Sequence, residues 1–248
     1  MRVSLGKVVL TGTGSAVLMA PVFTAQAVAA PAPAQAAVRS AQNPRAELVG
    51  PTVHFGDHGA GVEKLQQRLK DLGYDPGTVD GKWGQATSFA VWAFQKVNHI
   101  KPSSNAGTKT WAALALPHLP EPLVPKGAKN RAEVDVKHQL LYVYKSGRLV
   151  LTSHISSGTE TSYSTNGHTG FAHTPRGKFR VYRKASGWET SPLGTLYKAN
   201  YFDGGYAIHG EPAVPLHPAS HGCVRIPMGT SNIVAKLLPI GTRVYVRG

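Results

Sequence analysis

The sequence predicts an α+β chain in which a small three-helix domain precedes a larger, mostly β domain. Two observations carry this. Between His54 and Leu116 apolar residues recur at helical spacing, whereas beyond a proline-rich break they fall into short β-branched and aromatic runs separated by turns. The chain has 248 residues, 42% hydrophobic and 16% charged, which is enough apolar content for real cores and unlike a disordered protein.

Residues 1–29 read as a signal peptide. Arg2 and Lys7 form a cationic start, Val8 to Val22 is mostly apolar, and small-x-small sites such as Ala25-Gln26-Ala27 and Ala27-Val28-Ala29 follow. The run contains Gly, Thr and Ser and falls short of the roughly 18 apolar residues of a membrane span, and there is no nearby cysteine for lipid attachment. Residues 30–53, rich in Ala, Pro and Gln, are expected to be a disordered linker.

Residues 54–116 form the helical domain. Val62, Leu65, Gln66, Leu69 and Leu72 lie on one helical face that Gly73 ends, and Asp80-Gly81-Lys82-Trp83-Gly84 is a turn cluster. Phe89, Val91, Trp92 and Phe94 mark a second helix, and a third runs from Thr108 or Lys109 to Leu116. Trp92 and Phe94 read as core, while Trp83 reads as an exposed aromatic able to stack on a sugar. Residues 117–127 are a stiff spacer, with four prolines between Pro117 and Pro125, expected to separate two cores.

Residues 128–248 are β-rich. Strands are expected at 133–136, 140–144, 149–155, 178–184, 206–209 and 242–247, with Lys145-Ser146-Gly147-Arg148 as a turn. One helix runs from Thr230 or Ser231 to about Leu238, capped by those hydroxyls and ended by Pro239-Ile240-Gly241. A β sandwich or open barrel follows.

The net charge of +14 comes from dispersed residues, with no helix-turn-helix, zinc-finger or RNA-binding signature, which argues against a nucleic-acid partner. For an exported chain it suits a polyanionic surface such as a cell wall, or at most a peripheral contact with anionic lipid.

Cys223 is the only cysteine, so it has no disulfide partner within the chain. It lies in Ser220-His221-Gly222-Cys223-Val224-Arg225, where polar, cationic and glycine neighbours favour a thiolate. A thiol nucleophile needs a base, and no His, Asp or Glu follows Cys223, so the base comes from upstream: His173, His209, His217 or His221. His221 is two residues away, but His209 follows the strand-like Tyr206-Ala207-Ile208 and projects from a rigid edge, which favours it. A zinc site built from His209, His217, His221 and Cys223 is the rival, but its spacings match no common zinc pattern, so neither metal nor other cofactor is expected.

Ile208-His209-Gly210 followed by the Cys223 hexapeptide resembles the signature of the L,D-transpeptidase (YkuD) catalytic domain. Residues 134–144, Ser157-Gly158, residues 174–179 and residues 241–246 resemble further blocks of that domain in order, and the likeness covers residues 128–248. Residues 62–69, 72–74, 80–87 and 93–96 resemble the type 1 peptidoglycan-binding repeat.

This resemblance implies that Cys223 is the nucleophile and His209 the proton acceptor and donor. It implies an oxyanion site of main-chain amides around His221, Gly222 and Cys223, with Gly210 and Ser220 also among the oxyanion and substrate-binding residues. Ser220 also reads as bonding nearby backbone, and Arg225 as binding a substrate carboxylate or pairing with a structural acid. The implied substrates are peptidoglycan stem peptides, with glycan strands as binding partners and carbapenem-type compounds as inhibitors. The alternatives are an L,D-carboxypeptidase using the same residues, or a non-catalytic wall-binding protein. The expected location is secreted, at the cell wall. Because the cysteine site is complete within residues 128–248, the part before Pro117 is expected to be dispensable for the chemistry.

Overall fold

The structure, a computed structural model, describes residues 49–248. The signal-peptide reading, and the linker reading up to residue 48, lie outside the described residues. Among the described residues no helix is long and apolar enough to cross a membrane.

The helical part begins with β1 (Val53–His54) and α1 (Ala60–Asp71). The three-to-four-residue spacing of Val62, Leu65 and Leu69 puts all three on the buried face of α1. Gln66 lies on that face and is satisfied: its Nε2 donates to Asp80 Oδ1, the Lys82 carbonyl and Thr87 Oγ1, and its Oε1 accepts from the Asp80 and Gly81 amides. One buried amide thus ties α1 to the turn that opens α2 (Gln85–Val97). β2 (Asn105–Ala106), antiparallel to β1, and α3 (Thr108–Ala115) complete this part. Trp83 is not exposed: it is 2% accessible and its Nε1 donates to Ser88 Oγ at 2.8 Å. The turn folds inward to serve the core, so Trp83 offers no sugar-stacking face.

The β-rich part runs β3 (Arg131–Asp135), β4 (Leu140–Lys145), β5 (Arg148–His154), β6 (Ser162–Thr165), β7 (His168–Phe171), β8 (Gly177–Arg180) and β9 (Arg183–Lys184). Then come β10 (Trp188–Ser191), β11 (Gly194–Asp203), β12 (Tyr206–Glu211), β13 (Val224–Pro227), α4 (Met228–Leu237) and β14 (Arg243–Arg247). One sheet has the order β5-β4-β3-β14-β8, parallel only between β3 and β14. The second has the order β10-β11-β12-β13 with β9 also on β11, and is parallel only between β12 and β13. β6 and β7 form a separate hairpin. The expected sandwich is therefore present, and the whole is α+β.

Side chains alternate across a strand, so β4 serves two cores. Leu141 and Val143 join Val134, Ile208, Val224, Ile226, Val234 and Val246 in a cluster built from both sheets and α4. Leu140, Tyr142 and Tyr144 face the other way and join Leu65, Leu69, Tyr74, Phe94 and Trp111 of the helical part. The proline-rich spacer therefore does not separate two cores. Tyr74 also bridges to Thr152 of β5, with the Thr152 amide donating to the Gly73 carbonyl at 2.9 Å.

The helix α4 starts at Met228, with Pro227 at its N-cap and no side-chain cap. The hydroxyls read as caps do other work. Thr230 Oγ1 donates to Asp75 Oδ2 at 2.8 Å, a further link to the helical part, and Ser231 Oγ donates to the Met228 carbonyl at 2.7 Å.

Candidate active site

Strand geometry assembles the site. β12 and β13 run in parallel register, Ile208 beside Val224 and His209 beside Arg225. Ile208, Val224 and Ile226 are buried in the intersheet core, so period-two alternation turns His209, Cys223 and Arg225 to the opposite face. That face opens into a cavity of about 790 Å³ lined by these three residues with Ser220, His221, Tyr206, Tyr163 and Glu211. The Arg183–Glu189 ion pair, 2.8 Å, with the Arg183 guanidinium 3.8 Å over the Tyr201 ring, lies in another part of the wall.

The His209 ring is buried, and its Nδ1 is 3.0 Å from the Gly210 carbonyl. A carbonyl can only accept, so Nδ1 carries the proton and Nε2 is the bare nitrogen of a neutral imidazole. Burial, opposed by the Gly210 bond and helped by the Arg225 charge, pushes this histidine down to about 4. His209 is therefore unprotonated at neutral pH.

Cys223 is half-buried and its Sγ donates to the Gly205 carbonyl at 3.7 Å. Here the structure corrects the sequence reading. Burial pushes the thiol above its ordinary value, and the Ala207 backbone bond and Arg225 charge that pull it down do not overcome burial. The resting pair is a neutral thiol and a neutral imidazole, and the thiolate forms only when a proton leaves.

The turn before β13 is closed by Ser220. Its Oγ accepts from the Gly222 amide at 3.0 Å and donates to the Cys223 carbonyl at 2.5 Å. The Gly222 amide is thus occupied and is not an oxyanion donor. Gly222 itself has no substitute, because at φ +131° an added Cβ would lie 2.4 Å from Tyr206 Cε1 and 2.5 Å from the His173 carbonyl oxygen. Gly210 does not line the cavity; its missing side chain lets Ser231 of α4 approach, since a Cβ would sit 2.6 Å from Ser231 Oγ. Its place is structural, with its carbonyl orienting His209.

The His221 imidazole turns to the β6–β7 hairpin, its Nε2 3.3 Å from Thr165 Oγ1 and its ring 4.7 Å from that of Tyr163, edge to face. Arg225 makes none of the close ion pairs found among the described residues and lines the cavity together with Glu211, whose carboxyl is pushed up by burial and pulled back down by the Arg225 charge. His217 is exposed, and only its carbonyl is engaged, by Ser156 Oγ at 2.8 Å. Among the described residues no three His, Cys, Asp or Glu side chains come together to hold a metal ion.

The residues that hold the turn were not assigned from sequence. Thr174 Oγ1 donates to the Gly222 carbonyl at 2.8 Å and accepts from the Gly158 amide at 2.9 Å. Ser156 and Arg225 exchange both backbone bonds at 3.0 Å, and the Ser157 carbonyl accepts from the Ala219 and Ser220 amides. The only sequence signal for them is that they fall in the Ser157-Gly158 and 174–179 blocks.

With this geometry the comparisons fall into place. A sequence profile of the L,D-transpeptidase catalytic domain matches residues 129–246, and one of a peptidoglycan binding domain matches residues 58–114. Among solved structures, an L,D-transpeptidase from Xylanimonas cellulosilytica DSM 15894 is 39% identical, covers 80% of this chain and 98% of its own, and superposes with a TM-score of 0.74. One from Stackebrandtia nassauensis is 25% identical over 81% and 97% of the two chains, with a TM-score of 0.44. Fold and matches together define a class in which a helical domain of the peptidoglycan-binding type is joined to a two-sheet catalytic domain. The chain belongs to the L,D-transpeptidase family.

Proposed function

We propose that the protein is an exported cysteine L,D-transpeptidase that cross-links peptidoglycan stem peptides through a thioester on Cys223. The observation that supports this most is one cavity face presenting Cys223, an unprotonated His209 and the Arg225 side chain together.

In the first half-reaction Sγ attacks the carbonyl of the third residue of a tetrapeptide donor while its proton passes to His209 Nε2. The C–N bond then breaks, and His209 returns the proton to the departing D-alanine amine. In the second half, the side-chain amine of another stem attacks the thioester, His209 takes its proton, and the C–S bond breaks to restore the thiol. Since the Gly222 amide is occupied, the amides of His221 and Cys223 serve the developing oxyanion. Arg225 binds a carboxylate of the donor. Strained β-lactams of the carbapenem type acylate the same sulfur. With Trp83 buried, the dispersed +14 charge rather than an aromatic platform supports adsorption of the chain to the polyanionic cell-wall surface.

The test is intact-mass analysis of the protein with a tetrapeptide donor, then with an amine acceptor. A single acyl adduct, absent in Cys223→Ala, followed by a cross-linked dimer is the expected result. No adduct on the wild-type protein sinks the proposal, and tripeptide acid without dimer would make the enzyme an L,D-carboxypeptidase.

A further inference from the structure

Two titratable groups, half-buried Lys96 and buried His154, have no part in the chemistry above. Lys96 is on α2 in the helical part and His154 ends β5. Lys96 Nζ is 2.8 Å from His154 Nδ1 and donates to the Gln139 carbonyl at 3.0 Å. His154 Nε2 is 3.0 Å from the Val214 carbonyl oxygen and 3.1 Å from that of Pro215. The direction of this chain is forced. Carbonyls only accept, so Nε2 carries the ring proton, and the bare Nδ1 accepts from the ammonium. Burial supports the assignment by holding His154 down to about 3, which keeps the ring neutral. Burial also brings Lys96 down to about 7, partly opposed by the charge of Asp135. The ring is boxed by the same helix face, with Phe89 at 5.9 Å and Trp92 at 5.4 Å between centroids, so α2 grips it on several sides.

Both receivers of the Lys96 bonds lead to the nucleophile. His154 holds Val214 and Pro215, which begin the loop ending at Cys223, and two residues on Ser156 holds His217 and Arg225. Gln139 holds Ser157 twice, through Nε2 to Ser157 Oγ at 2.7 Å and through Oε1 from the Ser157 amide at 2.9 Å. Ser157 in turn accepts from the Ala219 and Ser220 amides. We infer that Lys96 is a positioning residue for acyl transfer: through His154 and Gln139 it couples the helical part to the loop of residues 214–223 and fixes where the thiol stands. The helical part is by this account a working component of the catalytic unit rather than a detachable wall anchor.

This rests on the assignment of Cys223 as nucleophile, and the experiment separates the two. In the full-length protein, single-turnover acylation is measured for wild type, Lys96→Met, His154→Leu and His154→Gln, with hydrogen exchange of the 214–223 amides and circular dichroism. Glutamine can accept from Lys96 and donate to Val214, as the imidazole does. Folded Lys96→Met and His154→Leu should lose about tenfold to a hundredfold in the saturating acylation rate, the scale of a small misplacement of a reacting group. Their half-saturating donor concentration should stay the same, and amides 214–223 should exchange faster. His154→Gln should recover most of both losses. If Lys96→Met fails to fold, Lys96→Gln takes its place in the comparison. A folded Lys96 variant with wild-type acylation and exchange overturns the inference, as does His154→Gln as slow as His154→Leu. A wild-type protein that does not acylate overturns instead the assignment of Cys223, and the exchange data alone then decide whether Lys96 orders the loop.

Discussion

The two sheets of this protein are built from similar strands and covered differently. The β5-β4-β3-β14-β8 sheet is covered on both faces around β4, by the helices on one side and the intersheet core on the other. The covered strand β4 accordingly reads as an almost continuous apolar run, Leu140-Leu141-Tyr142-Val143-Tyr144. The second sheet packs Ile208, Val224 and Ile226 into the same core but leaves the other face of β12 and β13 to the cavity. His209, Cys223 and Arg225 occupy that cavity face. The first sheet supplies rigidity and the second an open surface, and the segment from His154 to Gly158 joins them.

The largest way to break this division is to strip the cover from the first sheet. A fragment of residues 117–248 exposes Leu140, Tyr142 and Tyr144, and at about 1.5–3 kcal/mol for each large apolar side chain the loss is roughly 5 kcal/mol or more of a total near 5–15. The fragment should show no cooperative thermal transition by circular dichroism. A fragment that melts cooperatively and acylates like the full chain would show the covering to be dispensable.

A smaller effect sharpens the role of the open face. His209→Ala should lose about a hundred-fold to ten-thousand-fold in single-turnover acylation, as general bases do, and should erase the acid limb of the wild-type profile near pH 4. His221→Ala keeps its main-chain amide and loses only a contact with the β6–β7 hairpin, so it should retain more activity and the same limb. The reverse pattern in folded variants would make His221 the base.

The smallest effect draws on one histidine from each sheet. His209 and His154 titrate at about 4 and about 3 in the folded protein, against roughly 6.5 for an unfolded histidine. Between these values the unfolded chain binds protons that the folded chain does not, so stability is lost as pH falls below 6.5. Urea midpoints should drop between pH 7 and pH 5, and more shallowly in His154→Gln than in wild type. Identical pH dependence of the two would show that His154 is not held neutral.

The helices and the main strands were legible because their apolar periods are strong, whereas a single cysteine with no possible base after it only narrowed its partner to four upstream histidines, of which His209 and His221 line the cavity with Cys223. The rest was hidden for specific reasons. The β6–β7 hairpin stands off the core with every residue of β7 exposed, so it has no apolar alternation to read. Trp83 looked like a surface residue because its neighbours in the turn are polar, and only Ser88, in the helix that follows, reveals its burial. Occupation of the Gly222 amide depends on a Ser220 rotamer, and the bolt from Thr174 crosses 48 residues of sequence, so neither leaves a local pattern.

The position of β14 sets an order of events during synthesis. Arg243–Arg247 pairs in parallel with β3 on one side and antiparallel with β8 on the other, so it fills an interior slot of its sheet rather than an edge. Until that segment has left the ribosome, β3 and β8 have no common neighbour, and the intersheet core lacks Val244 and Val246. Cys223 is made before the layer beneath it can close. A nascent chain halted between Ile226 and Thr242 therefore carries the complete Cys223 motif without the strand that closes the sheet beneath it.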